Sequence, residues 1–475
     1  MLLYVVAFFV AVFAFIKLKT KKKEDYQLLS RFFPDKNWSE NENEPVDLTI
    51  TPFNIDIPQE RIDDLHKRLD SVRMPTPSIS TSCFRYGMRT EYMGELIKYW
   101  RNDYSWKEQE EKMNQFNHFK TRIEGLDIHF IHAKPKAGVE AKTVLMTHGW
   151  PGSFVEFLEI IPMLTDPVSY GGNETDAMNV VCPSIPGFGF SDPPAQEGFN
   201  TFECARVFHK LMLRLGYKKY YVQGGDYGSI ISIAVALLYP SYVKGCHTTM
   251  MSARPEGTGI LRAICAAYFP RLLFNDQEKE SILPFKKYFT YLFTETGYFH
   301  LHATKPDTVG FGLSDSPAGL AAYIAEKFST WTNRAARDTK DGMLDKYWTK
   351  DKLLNNIMIY WWSGNITSTM RLYKETFGGT TMFEMTPIKV RVPGGFCWFP
   401  NEIIGACKTW VAHKFPNLIH FTYMKQGGHF SAYEVPEDLS VDIRAFVRKV
   451  ENREREMAAN ATIDVKFSHL DRFDN

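Results

Sequence analysis

The spacing of apolar residues changes character several times along the 475-residue chain. Residues 1–16 are uninterrupted apolar sequence, and Leu18 extends the run past Lys17. About 18 residues rising ~1.5 Å each reach ~27 Å, enough for a thin bilayer. Lys17, Lys19, Lys21, Lys22 and Lys23 follow the run, and no small-residue cleavage site does, so 1–23 reads as a membrane anchor rather than a cleaved signal. Basic residues on that flank keep the body in the cytosol, and the sequons at Asn37, Asn173, Asn365 and Asn460 should then carry no glycan. Residues 24–46 are polar, a linker. From Thr51 to about Met113 the pattern turns helical, with Ile62, Leu65 and Leu69 recurring at three and four residues. The unit 24–113 is therefore expected to be a linker and a helical arm lying on the main domain.

Between 114 and 253 short apolar runs alternate with helical patterns. Strands are expected at 126–133, 143–147, 180–183, 219–222 and 243–248, and helices at 201–215 and 229–239. Strand, helix and strand in alternation build a mostly parallel sheet flanked by helices. From 254 to 385 the alternation stops, and the segment is helical in pattern and crowded with aromatics, as an inserted cap would be. Strands at 388–392 and 418–424 and a helix at 436–450 complete the sheet domain over 386–452, leaving 453–475 as a polar tail.

Composition narrows the function classes. Hydrophobic residues at 44% and charged residues at 23% describe a globular protein, and a net charge of +1 offers nothing to nucleic acid. The seven cysteines (Cys83, Cys182, Cys204, Cys246, Cys265, Cys397, Cys407) are scattered with no C-x-x-C pair, which argues against a disulfide framework or a zinc site and fits reduced thiols in the cytosol. His300 and His302 have no carboxylate or cysteine at ligand spacing, so no metal is expected, nor any cofactor.

The chemistry concentrates where the strand at 219–222 turns into a helix, in Gln223-Gly224-Gly225-Asp226-Tyr227-Gly228-Ser229. Small residues on both sides of so sharp a turn, here Gly225 and Gly228, leave Asp226 exposed on the corner, as in a nucleophile elbow. A glycine-rich turn with Asp226 capping the helix is the alternative. His148-Gly149-Trp150-Pro151-Gly152-Ser153 follows the strand at 143–147 and aims backbone N–H groups into a cleft, so the N–H groups of Trp150 and Tyr227 are the expected oxyanion hole. His429 lies in a glycine loop just past the last strand. Glu402 follows the strand at 388–392, but spacing leaves Asp315, Asp345 and Glu434 open beside it. Nucleophile, acid, histidine is the chain order of α/β-hydrolases.

Six stretches together are specific: His148-Gly-Trp-Pro-Gly-Ser153, Pro183-Ser-Ile-Pro-Gly-Phe-Gly-Phe-Ser191, Gly224-Gly-Asp-Tyr-Gly-Ser229, Lys305-Pro-Asp-Thr-Val-Gly310, Glu326-Lys-Phe-Ser-Thr-Trp-Thr332 and Gly427-Gly-His-Phe430. In these the chain closely resembles the microsomal epoxide hydrolases, including the juvenile hormone epoxide hydrolases, from the anchor through the last helix. The resemblance implies an α/β-hydrolase fold with a helical cap, and conversion of epoxides to vicinal diols. It implies Asp226 as the nucleophile, His429 as the base, Glu402 as its acid, and Tyr298 and Tyr373 as the cap tyrosines that hold the epoxide oxygen. His148, Gly149 and Pro151 are expected at the substrate. The family often has tryptophan after the nucleophile where this chain has Tyr227, which implies an altered pocket shape. Expected partners are a small hydrophobic epoxide, water, and membrane lipid at the anchor, with the catalytic body on the cytosolic face of the endoplasmic reticulum. The rival readings are a haloalkane dehalogenase, which has no use for paired cap tyrosines, a carboxylester hydrolase, which would carry Ser at the elbow, and a non-catalytic binding protein, which would be expected to lose one of the three triad residues.

Overall fold

Among the described residues, nine strands form one sheet in the order β1-β2-β3-β5-β4-β6-β7-β8-β9. They are β1 (Ile50–Phe53), β2 (His118–Ile123), β3 (Leu126–Ala133), β4 (Lys142–Thr147), β5 (Met178–Pro183), β6 (Tyr220–Gly224), β7 (Val243–Thr248), β8 (Gly394–Trp398) and β9 (Leu418–Tyr423). The pairings from β1 to β5 are antiparallel, and every pairing from β5 through β4 to β9 is parallel. β6 is buried along its whole length, as a central strand covered on both faces by helices must be. A computed structural model of the chain describes residues 24–40, 47–251, 274–282 and 284–470. The expected anchor at 1–23, cap residues 252–273 with Cys265, and the final five positions lie outside the described residues. No helix among the described residues is long and apolar enough to cross a membrane.

Several expectations are corrected. The strand expected at 388–392 is six residues further on, at β8. Ile388, Val390 and Val392 are buried in alternation, which is what made the segment look like a strand, but burial there comes without a ladder. Gly394 and Gly395 open β8 because the Phe415 and Phe446 rings pack where side chains would stand: a Cβ at either glycine would lie 2.7 Å from one of those rings. β1 and β2 fall where a helical arm, or nothing, was expected. The three arm helices Gln59–Asp70, Thr90–Asn102 and Trp106–Met113 do form, but they grip the cap rather than the sheet domain. Arg61 donates to Trp362 O at 2.7 Å, and the hydroxyls of Tyr92, Tyr99 and Tyr104 reach Asp345, Asp351 and Asn355 at 3.0, 2.8 and 2.9 Å. The last helix runs Pro436–Leu470, so the expected polar tail is helical through 470. Asp442 pins that helix to the sheet by accepting from His247 and His420 at 2.9 and 2.8 Å.

The described part of the cap is helical throughout 276–385, apart from turns. Its buried faces carry Leu320, Ile324, Phe328, Leu353, Ile357 and Met370, which close over the C-terminal ends of the parallel strands. All six cysteines within the described residues are free.

Candidate active site

β6 ends at Gly224 and the next helix, Asp226–Leu238, starts two residues later. Asp226 takes φ +47°, a left-handed conformation that typically costs a non-glycine residue about 1–3 kcal/mol and here lifts its carboxylate out of the turn. The close approach that makes this corner possible is between Gly224 and Gly228, not Gly225 and Gly228. A Cβ at Gly224 would lie 2.3 Å from the Gly228 carbonyl carbon, and one at Gly228 only 1.8 Å from Thr147 O on β4. Gly225 is the extended N-cap residue, φ −109°.

The loop after β4 runs along the same carboxylate. Trp150 N donates to Asp226 Oδ1 at 2.9 Å. Gly149 must be glycine, since a Cβ would stand 2.4 Å from the Asp226 Cβ. His148 and Pro151 do not have the free surface expected of substrate contacts. Ile185 N donates to His148 Nε2 at 3.2 Å while Nδ1 donates to Gly149 O at 3.1 Å, so this fully buried ring spends both nitrogens on shaping the loop. Burial pushes its pKa down to about 4 and keeps it neutral. Pro151 gives its carbonyl to Asn356 Nδ2 at 2.6 Å, tying the loop to the cap helix Lys350–Ser363.

His429 stands between two carboxylates. Its Nδ1 is 2.9 and 3.1 Å from the Glu402 oxygens, and its Nε2 is 3.3 Å from Asp226 Oδ2 without hydrogen-bond geometry. Burial works against a charged imidazole. Glu402 and then Asp226 outweigh it and hold the His429 pKa well above its usual range. Of the acids that spacing left open, only Glu402 reaches the ring. Asp315 is on the surface beside Arg68, Asp345 accepts from Tyr92, and Glu434 accepts from Phe430 N at 2.8 Å. The glycine loop is clamped by the cap: His429 N donates to Trp331 O at 3.1 Å, and a Cβ at Gly428 would lie 2.6 Å from that same oxygen.

Opposite the carboxylate stand Tyr298, on the helix Gly297–Thr304, and Tyr373, on the helix Ile366–Phe377. Burial, and then the Asp226 charge on Tyr298 and the Tyr298 and Asp226 groups on Tyr373, raise both phenols well above their usual range. Both therefore stay protonated and able to donate. Tyr373 Oη is buried without a hydrogen bond of ordinary length. Tyr227 packs edge-on to Tyr373 at 4.8 Å, so its ring backs the second phenol. His302 donates or accepts at Tyr323 Oη, 2.9 Å away, and packs on Trp150; His300 is exposed, and the two form no ligand set.

Two contributors escape a reading by residue type. The Trp150 indole stacks on Tyr298 at 5.1 Å and 8° and meets Tyr373 edge-on at 5.8 Å, so one residue bonds the nucleophile by its N–H and seats both phenols by its ring. Trp331 packs edge-on to the His429 ring at 4.8 Å and lies against Tyr298 at 5.1 Å. Their only sequence signal is that both tryptophans fall within the motifs quoted above.

The arrangement sets the Asp226 carboxylate beside an imidazole paired with a second acid, with two protonated phenols facing them. Comparison with known proteins gives the family. The family model "Epoxide hydrolase N terminus" matches residues 50–157, and the "alpha/beta hydrolase fold" model matches 142–361. The chain is 48% identical to epoxide hydrolase 1 of Sus scrofa over 86% of its length and 90% of that protein's. It is 42% identical to juvenile hormone epoxide hydrolase 1 of Ctenocephalides felis over 87% and 88%. The crystal structure of juvenile hormone epoxide hydrolase from the silkworm Bombyx mori superposes with a TM-score of 0.84 at 37% identity, covering 88% of this chain and 99% of that one.

Proposed function

The chain belongs to the microsomal epoxide hydrolase family and is an epoxide hydrolase, and from that premise we propose that it opens epoxides through an ester on Asp226. The observation that carries the proposal is His429 bridging Glu402 and Asp226, with Tyr298 and Tyr373 facing the same carboxylate. A carboxylate needs no base to become a nucleophile, since a free Asp titrates near 3.9. An Asp226 oxygen attacks an epoxide carbon, the carbon–oxygen bond of the ring breaks, and the developing alkoxide takes a proton from one phenol while the other donates a hydrogen bond. In so buried a site an unassisted alkoxide would be prohibitive.

Ester formation also resets the base. Once Asp226 is esterified its charge is gone, so one of the two carboxylates that hold the His429 pKa up is lost while burial still pulls it down. The imidazolium passes its proton to the phenolate that ring opening left, and so becomes a base at the stage that needs one. It takes a proton from water, the water oxygen bonds to the Asp226 carbonyl carbon, and the carbonyl oxygen is held by the N–H groups of Trp150 and Tyr227. The ester oxygen leaves as the second hydroxyl of a vicinal diol with the proton from His429. Asp226 regains its charge by giving the remaining proton to His429, which restores the imidazolium between the two carboxylates. A serine in place of Asp226 would end as an inert ether, whereas the carboxylate ends as a hydrolysable ester.

The substrate class is lipophilic: Trp150, Trp331, Tyr298, Tyr373, Phe299 and Phe377 form one aromatic cluster around the phenols. Anchorage of residues 1–23 in the endoplasmic reticulum membrane, with the body in the cytosol, would place the enzyme where such epoxides partition. The test of the ester is a His429→Gln variant mixed with excess styrene oxide. Intact mass should rise by one substrate equivalent on the Asp226 peptide. No adduct in any variant would end the proposal.

A further inference from the structure

Asp226 and His429 also line a small space to which the described cap residues contribute nothing. Its walls are sheet-domain residues, among them Thr147, Glu156, Gln223, Asp226, His429 and Ser431. It leaves about 20 Å³ for the centre of a water-sized sphere, above the ~10–15 Å³ that one water requires. Three of its wall residues carry buried polar atoms without a hydrogen-bond partner: Thr147 Oγ1, Gln223 Oε1 and His429 Nε2. Buried polar groups are nearly always satisfied, and a water making two to four hydrogen bonds is the usual solution for a cluster of this size. One of the three atoms is the nitrogen that must take a proton from water.

The wall also carries Glu156, a buried acid that no step above uses. It lies in the 3-10 turn Phe154–Phe157, buried at 8% exposure, close enough to Asp226 and His429 for both charges to act on it. Its place is built into the loop. The Glu156 carboxyl fills the space beside Gly152, where a Cβ would fall 1.3 Å from Oε1 and push the carboxyl aside. The loop is bolted to the helix Lys350–Ser363 through Ser153 Oγ donating to Asn356 Oδ1 at 2.7 Å, Asn356 to Pro151 O, and Tyr360 Oη to Gly152 O at 2.7 Å. A buried carboxyl group fixed beside a nucleophile and its base has a large desolvation cost unless a partner uses it.

We propose that Glu156, with Gln223, Thr147 and His429, holds the hydrolytic water in this cavity and aims its oxygen at the carbonyl carbon of the Asp226 ester. The inference rests on the ester reading above and assigns Glu156 to the second half-reaction only, as a positioning residue. Burial raises its pKa to about 8, so at neutral pH the carboxyl is largely protonated while Asp226 is charged. That charge also pushes the Glu156 pKa up, and esterification removes the push. In either state the group offers the water an oxygen acceptor.

The experiment is single-turnover quenched flow with styrene oxide on the full chain, reading ester and diol separately by mass, for wild type, Glu156→Gln, Glu156→Asp and His429→Gln. Glu156→Gln preserves shape, and it should form the ester within about twofold of the wild-type rate. It should hydrolyse it about 10–100-fold more slowly, the usual cost of a small misplacement of a reacting group. Glu156→Asp should recover part of the loss. Wild-type rates for both steps, or an equal loss in ring opening and hydrolysis, would overturn the inference and leave the ester reading intact. Absence of ester in His429→Gln as well would overturn both.

Discussion

The two walls of the active site are held by different physics. On the sheet side, the Trp150 N–H holds Asp226 and Glu402 holds His429 by hydrogen bonds of 2.9–3.1 Å, at the C-terminal ends of parallel strands. On the cap side, Tyr298, Tyr373 and Trp331 are fixed mainly by ring packing, with centroids 5.1–5.9 Å apart. In the proposed mechanism the steps that make and break bonds at carbon depend on charge and angle, and they fall to the wall whose geometry is set by hydrogen bonds. The departing oxygen needs only neutral donors, and these stand on helices that pack by shape. Chemistry is thus fixed on one wall while the wall facing the substrate can vary in outline. The two meet at Trp331, whose carbonyl receives the His429 N–H and whose ring touches both His429 and Tyr298.

The division would be broken most severely from the sheet side. Asp226→Ala should lower turnover by about 10⁵-fold or more, measured as diol from styrene oxide. Next in size, His429→Gln should spare ring opening and slow ester hydrolysis by about 10²–10⁴-fold, so that the ester accumulates. On the cap side, Tyr298→Phe and Tyr373→Phe should each slow ring opening by about 10–10²-fold, and the double variant by more than the larger single loss, with ester hydrolysis unchanged. A cap variant that slowed only hydrolysis would contradict the division.

The smallest effect sharpens the sheet side. Glu402→Gln removes the largest upward influence on the His429 pKa, so the rising limb of hydrolysis should move to lower pH while its plateau falls by about 10–10²-fold. A limb moving to higher pH would contradict the assignment. The sign for stability follows the same shift. Because the folded His429 pKa is raised above the unfolded value of about 6.5, its ion pairs contribute stability present below that pH and lost as pH rises through the folded value. The pH dependence of unfolding should therefore flatten in Glu402→Gln.

The elbow was legible because its requirements are local: a strand, a tight turn and a helix within a dozen residues, with glycines wherever backbones touch. Gly228 was legible too, but its partner was not: the close approach is to Gly224 rather than Gly225, and Gly228 is also demanded by Thr147 O on a neighbouring strand. β8 was hidden for the same reason. Gly394 and Gly395 look like a turn until Phe415 and Phe446 are packed against them, and the alternation at 388–392 answers to burial without pairing. Spacing alone could not choose Glu402 from Asp315, Asp345 and Glu434, because that choice depends on which loop brings an acid under the His429 ring; family resemblance pointed to it. The Trp150 and Trp331 rings meet neighbours that are distant in sequence, so the motifs mark the two residues but not those contacts.

The central claim is that Asp226 becomes covalently attached and is then freed by attack at its own carbonyl carbon. Single turnover in ¹⁸O-water tests it most directly. One enzyme equivalent in excess over styrene oxide should leave ¹⁸O in the carboxylate of the Asp226 peptide, with unlabelled oxygen in the first-turnover diol. Label appearing in the diol and none in Asp226 would mean that water attacks the epoxide directly, and would contradict the account.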